Sequence, residues 1–408
     1  MSRSFFILLC TAVATAFCAP PSLAASRKGT KGGQPAKLNQ QQIEDYTRLQ
    51  IFLDNANFGP GKIDGHDGEF TRKALALYRE SKGTGAGTAD AKAPADSKTA
   101  PDTAGLDLKA IDPVFVEYEV TKEDAASVGT LPNGPEAQAK VKSLPYATLA
   151  EAIAEKFHCD IDFLKQLNKG KADALKPGDK VLVPNVKPFE IAAVKSIKPG
   201  SEAETVIANE IGEAADAPAE SGALKAAQPN EGRKPDAAGE KAASSESRDT
   251  KKDTKRSNEG SAKKKEESDS PNSPTLAVHV STKESMLEVL AGDKVVAAFP
   301  VTVGSSQTAS PLGDWKVQAV AKFPNFRYDK KMLNQGERSS DFKMLPPGPN
   351  NPVGIMWIAL NKKGIGLHGT NDPDSIGRSA SHGCIRLANW DVVKLAELVK
   401  PGVPVHID

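Results

Sequence analysis

The stretch "SASHGCIRL" places a cysteine, Cys384, directly after Gly383 and two residues after His382. A thiol becomes a strong nucleophile once ionised, and a neighbouring imidazole or a positive field ionises it. Two histidines are candidates for that base: His382, and His368 in "GIGLHGT" further upstream. On an extended segment, residues two apart face the same side, which puts His382 in the cleft of Cys384. His368 would meet the thiol from an adjacent strand end. The residues alone leave that choice open. Gly383 lets the backbone approach a substrate closely, and the amides of residues 382–384 are placed to hold an oxyanion. The chemistry these residues could carry is attack of a thiolate on a carbonyl. A zinc site from His368, His382 and Cys384 lacks the usual spacing of paired ligands. The small, polar neighbours of Cys384 do not suit an inert core thiol.

The elements that must position these residues lie in 274–408, which holds all three tryptophans. "LAVHVST", "MLEVLAG", "KVVAAFPVTVG" and "GDWKVQAVAKF" are short β-rich runs broken by turn residues, the pattern of an antiparallel, sandwich-like sheet. One late helix, "WDVVKLAELVK", is expected with Asn389 as its cap and Pro401-Gly402 as its stop.

The rest of the 408 residues divides by composition. Arg3, an apolar run and "APPSLAAS" read as a secretory signal peptide over residues 1–25. The run is too short for a bilayer span, and Phe17 before Cys18 does not suit a lipid-attachment site. Cys10 and Cys18 leave with the signal, so the mature chain keeps Cys159 and Cys384. Residues 85–112 and 188–273 read as linkers, the second disordered, because their mixed charge and scarce apolar residues cannot offset chain entropy. A net charge of +1 gives no field to draw in nucleic acid. With a long linker between Cys159 and Cys384, a disulfide is not expected, and Cys159 in "EKFHCDI" reads as a buried thiol.

Two islands remain before 274. In residues 38–84, Leu49, Phe52 and Leu53 form one helical stripe and Ala74, Leu75 and Tyr78 a second. Between them Gly59, Gly61, Gly65 and Gly68 permit a tight loop plugged by Ile63. "DGHDG" is too short for an EF-hand calcium loop. The island resembles the small three-helix peptidoglycan-binding domain through Leu49-Gln50, Ile63-Asp64-Gly65, Gly68 and Thr71. Residues 113–187 read strand, helix, helix, strand. They resemble the LysM domain in "TLAEAIAEKF…LKQLN…LKPGDKVLVP", with an insertion between the first strand and first helix.

Residues 276–408 resemble the L,D-transpeptidase catalytic domain of the YkuD type. "LHGTNDPDSIGRSASHGCIRL" looks like its active-site signature, and "VLAGDKVVAAFPVTVG", "SPLGDW" and "PPGPNNPVGIMWIAL" precede it in order. Ser310 stands where the family usually has threonine. The resemblance implies Cys384 as nucleophile, His368 as general base and acid, and Gly369 orienting that histidine through its carbonyl. It further implies Ser381, His382 and Gly383 shaping the oxyanion and acyl pocket, and Arg386 contacting the donor peptide. Neither metal nor organic cofactor is implied. The implied partner is peptidoglycan, glycan strands and stem peptides alike. The acceptor is a stem amine, water (giving carboxypeptidase activity) or a lipoprotein lysine. No nucleic-acid partner and no membrane span after signal cleavage are expected, and the expected location is the periplasm or cell wall. The whole reads as two wall-binding modules tethered flexibly to a catalytic domain, the tether raising local substrate concentration.

Overall fold

A computed structural model of the chain describes residues 38–84, 100–203, 205–206, 275–305, 308–378, 381 and 383–408. The signal-like segment 1–25, residues 85–99 and 207–274 of the two linkers, and His382 lie outside the described residues.

The first island forms helices α1 (Gln40–Asn55) and α2 (Glu69–Ser81). Their stripes meet through Leu49, Leu53, Ala74 and Leu75. Gln50 is buried between them and ties down the glycine loop. Its amide donates to Asp64 Oδ1 at 2.8 Å and its carbonyl accepts from Gly65 N at 3.0 Å.

The second island runs β1 (Phe115–Glu119), α3 (Lys122–Ala126), α4 (Pro135–Gln138), α5 (Leu149–Lys156), α6 (Ile161–Leu167) and β2 (Lys180–Pro184). β1 and β2 pair antiparallel, Val116 opposite Val183. Thr148 caps α5 by accepting from Glu151 N, and Asp160 caps α6 by accepting from Asp162 N and Phe163 N. The insertion holds α3 and α4.

The third island contributes β3 (Leu276–Ser281), β4 (Met286–Ala291), β5 (Lys294–Pro300), β6 (Gly313–Lys322), β7 (Phe326–Tyr328), α7 (Lys330–Gln335), β8 (Lys343–Leu345), β9 (Met356–Leu360), β10 (Gly366–His368), β11 (Ile385–Arg386), α8 (Asn389–Leu398) and β12 (Pro404–Ile407). Eight strands form one sheet in the order β11-β10-β9-β6-β12-β3-β4-β5, with β7 and β8 as a separate hairpin. The sheet is mixed rather than wholly antiparallel: β12 runs parallel to β3, and β10 parallel to β11. β6 serves two neighbours in turn. Residues 313–316 pair with β12, residues 317–322 with β9, and the register slips between Val317 and Ala319. Such a bulge bends the strand, so the sheet curls into two halves that share one core with α8 through Trp390, Val392 and Leu395. Helix α8 begins where expected, but Ala388 occupies its N-cap and makes no side-chain cap. The Asn389 side chain is committed elsewhere.

Composition also read residues 188 onward as linker and the modules as flexibly tethered. The structure differs over the described residues 188–203 and 205–206, and in packing both modules against the catalytic domain. Phe189, Val194 and Ile197 enter the catalytic core, and Gly200 N and Glu202 N donate to the carbonyls of Ala396 and Glu397 on α8. "IAAVKSI" carries enough apolar surface to fold back, which averaging over the charged stretch behind it concealed. The first module covers the exposed edge of the sheet. Ala298 on β5 exchanges backbone hydrogen bonds with Asn57 and Gly59 at 2.9 and 2.7 Å, and Leu53 and Phe58 pack with Met286, Val295 and Ala298. An open edge strand is a template for aggregation, and covering it removes that hazard. Ile63 in turn exchanges backbone bonds with His158 and Asp160, and Lys62 pairs with both Asp160 and Asp374. From the insertion, Leu144 bonds Pro347 and Asn350.

Candidate active site

The site is built on two short parallel strands. β10 and β11 pair with Leu367 opposite Ile385 and His368 opposite Arg386, while on its other side β10 sets His368 opposite Trp357 of β9. Paired residues in a sheet share a face, so Trp357, His368 and Arg386 form a row across three strands. Cys384 lies in the bend that leads directly into β11. Its thiol lies 3.5 Å from the Gly364 carbonyl.

His368 is buried, with its ring stacked on Trp357 at 5.1 Å and 12°. Its Nδ1 stands 2.6 Å from the Gly369 carbonyl oxygen. A carbonyl can only accept, so Nδ1 carries the proton and Nε2 keeps its lone pair. Burial pulls the imidazole pKa down to about 4; the Gly369 carbonyl works against that, and the positive charge of Arg386 adds to it. The ring is therefore neutral at pH 7. Burial pushes the Cys384 thiol up, with the Gly366 backbone and Arg386 pulling the other way. The resting pair is a thiol and a neutral imidazole, and attack requires a base.

Gly369 explains its own identity. A Cβ there would fall inside the van der Waals radius of Asn389 Oδ1, and the same oxygen crowds Gly354. Gly383 sits at φ +104°, backbone that favours glycine. Ser381 builds the turn around it: its hydroxyl accepts from Gly383 N at 3.2 Å and donates to the Cys384 carbonyl. The Gly383 amide is thus directed at Ser381 rather than at an open pocket. Ser381 N donates to Val303, and its carbonyl accepts from Ser305 N and Thr308 Oγ1. Ser310 Oγ accepts from Gly304 N at 2.9 Å, a bond a threonine hydroxyl makes equally well. Thr302 holds the intervening loop, donating to the Ser375 carbonyl and accepting from Gly377 N, both at 2.9 Å.

The structure thus brings His368, Gly369, Ser381, Gly383, Cys384 and Arg386 into one region. His382 is outside the described residues. Trp357, Thr302 and Asn389 were missed in the sequence. Trp357 carried a signal in its strand run "GIMWIAL", whereas Asn389 looked like a helix cap. Cys159 and Cys384 are both free, and burial raises the Cys159 thiol well above its ordinary range. Among the described residues no group of three or more His, Cys, Asp or Glu side chains could hold a metal ion, and no helix is long and apolar enough to cross a membrane.

A curled mixed sheet sets a histidine on β10 and a cysteine just before its parallel neighbour β11, and sequence comparison supplies the class. The chain belongs to the YkuD family of L,D-transpeptidase catalytic domains, whose profile matches residues 275–407, and a LysM domain matches residues 150–184. A Bacillus licheniformis protein assigned as the L,D-transpeptidase YkuD is 32% identical over 137 residues, 34% of this chain and 68% of that one. YqjB of Bacillus subtilis, assigned likewise, is 33% identical over 142 residues, 34% of this chain and 72% of that one. The solved L,D-transpeptidase from Mycobacterium smegmatis aligns with 33% of this chain and 58% of its own, at 17% identity and a TM-score of 0.27. The chain therefore spans less than two thirds of that solved relative.

Proposed function

We propose that the chain is an exported L,D-transpeptidase that acts on peptidoglycan stem peptides through a Cys384 thioester. The observation that carries the reading is the fixed tautomer of His368. With Nδ1–H held by Gly369 and the ring kept neutral, Nε2 is left as a base on the strand that pairs with β11, the strand Cys384 leads into. In the reaction Nε2 takes the thiol proton as Sγ attacks the carbonyl carbon of the third, L-configured residue of a tetrapeptide. The tetrahedral intermediate collapses by breaking the C–N bond to the terminal D-alanine, whose nitrogen receives the proton from Nε2. The side-chain amine of another stem's third residue then attacks the thioester. Nε2 takes the amine proton and returns it to the departing sulfur, giving a 3→3 cross-link. Arg386, beside His368, contacts the donor peptide. The LysM module and the first island hold glycan strands near the site, and residues 1–25 direct export to the periplasm or cell wall.

The test is product analysis by mass spectrometry on a disaccharide-tetrapeptide. The unaltered protein is expected to release D-alanine and form cross-linked dimers, and Cys384→Ser and His368→Ala to form neither. Undiminished products from Cys384→Ser would overturn the reading.

A further inference from the structure

We infer that Glu155, on the LysM module, is a positioning residue for the histidine of the catalytic module, acting through Asn389. The inference rests on the reading of His368 as the base. It starts from a buried carboxylate that hydrogen-bonds on both sides of the module boundary. Glu155 lies near the end of α5, a helix whose other buried residues are apolar, and it is 8% exposed. Its Oε1 accepts from Tyr146 Oη at 2.7 Å within its own module and from Asn389 Nδ2 at 3.1 Å across the module boundary.

Asn389 is fully buried. With Nδ2 committed to Glu155, its Oδ1 faces the other way, accepts from Ile355 N at 3.3 Å and lies flush against the backbones of Gly354 and Gly369. An amide has one oxygen and one nitrogen, so the acceptor at Glu155 fixes which end meets the glycines. If the amide turned over, its NH2 would face the Ile355 N–H and lose that bond. Gly369 is the residue whose carbonyl fixes the His368 tautomer. The chain of contact is continuous: Glu155 orients Asn389, Asn389 braces Gly369, and Gly369 holds Nδ1–H. Burial pushes the Glu155 carboxyl up to about 7, against the two donated hydrogen bonds. Even protonated, the group keeps an oxygen that accepts from Asn389, so the brace does not depend on its charge. Nothing about glycan binding by the LysM module enters this role.

The test uses the full chain and single-turnover acylation of Cys384 by a carbapenem, followed by mass spectrometry across pH. Fitting each rate constant to its own acylation endpoint, with the folded fraction measured by circular dichroism, separates slow acylation from loss of folded protein. Glu155→Ala leaves Asn389 Nδ2 without an acceptor. It is expected to slow acylation by roughly 10- to 100-fold, the range in which slight misplacement acts on a reacting pair, and to move the acid limb of the pH profile. Glu155→Gln keeps an acceptor oxygen and is expected to restore the rate to within about threefold, well short of a tenfold loss. Tyr146→Phe removes the other bond to the same oxygen without touching Asn389, and should leave rate and limb unchanged. Glu155→Ala acylating at the unaltered rate, or Tyr146→Phe matching its loss, would overturn the inference. Cys384→Ser and His368→Ala run alongside separate the two claims. If either acylates normally, the reading of the site has failed; if both are inert while Glu155→Ala is normal, only the relay has.

Discussion

His158 of the LysM module lies face to face on Trp390 of the catalytic helix α8, ring centroids 5.3 Å apart and planes 11° apart. Its Nδ1 meets Asp54 of the first module at 3.0 Å, and Lys394 of α8 meets the other oxygen of that carboxylate at 3.0 Å. Three modules therefore share one buried contact. His158 and Lys394 hold the Asp54 carboxyl well below the usual range against the cost of its burial. The same junction walls a cavity of about 430 Å³ reached by Phe189 and Ile197. Neither N-terminal module is an appendage.

Removing residues 38–187 should accordingly do more than weaken binding to intact wall. It strips Leu53 and Phe58 from Met286, Val295 and Ala298 and uncovers the β5 edge. The expected result is a fragment that aggregates and fails on soluble tetrapeptide as well as on sacculi. Near-UV circular dichroism and turnover of a soluble muropeptide measure this. A monodisperse fragment with full turnover would refute it.

The pH profile reports His368. An ordinary imidazole loses its proton near 6.5, whereas burial lowers this one to about 4 with Arg386 adding to the effect. Activity should thus rise through an acid limb near pH 4 as Nε2 becomes free. Arg386→Gln removes a positive charge that opposes protonation, so the limb should move towards 6.5 whatever happens to KM. The same group costs stability in acid. Between about 6.5 and 4 the unfolded chain binds a proton the folded chain refuses, so stability is lost as pH drops through that window. A limb already at 6.5 in the unaltered protein would contradict the burial argument.

Gly369→Ala is the sharpest steric test. The new methyl group must displace Asn389 Oδ1, which is buried and held by Ile355 N. Overpacking of this kind costs about 1–3 kcal/mol, and here the displaced group braces the carbonyl that fixes His368. We expect a loss of that size in urea unfolding and a larger proportional loss of turnover. A variant that keeps both would mean the glycine is dispensable.

The thiol, the histidines and the sheet were legible because they are local. Cys384 and its glycine sit in one nonapeptide, and β3 to β6 are short β-rich runs broken by turn residues. The parallel pairing of β10 with β11 was not legible, since it joins segments separated by a long loop and depends on register. Asn389 shows the same limit from the other side. Before an amphipathic helix an asparagine has the pattern of a cap, and only the folded chain reveals Glu155 opposite its amide. The linker reading failed where a short apolar run, Phe189 to Ile197, borders a much longer charged one.

Asp391 makes the last prediction, because its environment conflicts with its charge. It is buried on α8, neither carboxyl oxygen has a hydrogen-bond partner, and Lys394 is already engaged with Asp54. Burial raises its pKa to about 8, with Lys394 opposing and Asp54 adding to the shift. The folded chain therefore holds a proton that the unfolded chain releases near 3.8. Stability from this group is complete below about pH 4 and declines as pH rises towards 8. Asparagine reproduces the shape of the neutral acid without a proton to lose. Asp391→Asn should match the unaltered protein at pH 4.5 and exceed it at pH 8 by about 1–3 kcal/mol, the scale on which replacing a poorly compensated buried charge stabilises. Urea unfolding at both pH values decides it, and an equal difference at the two would show that Asp391 is ionised throughout.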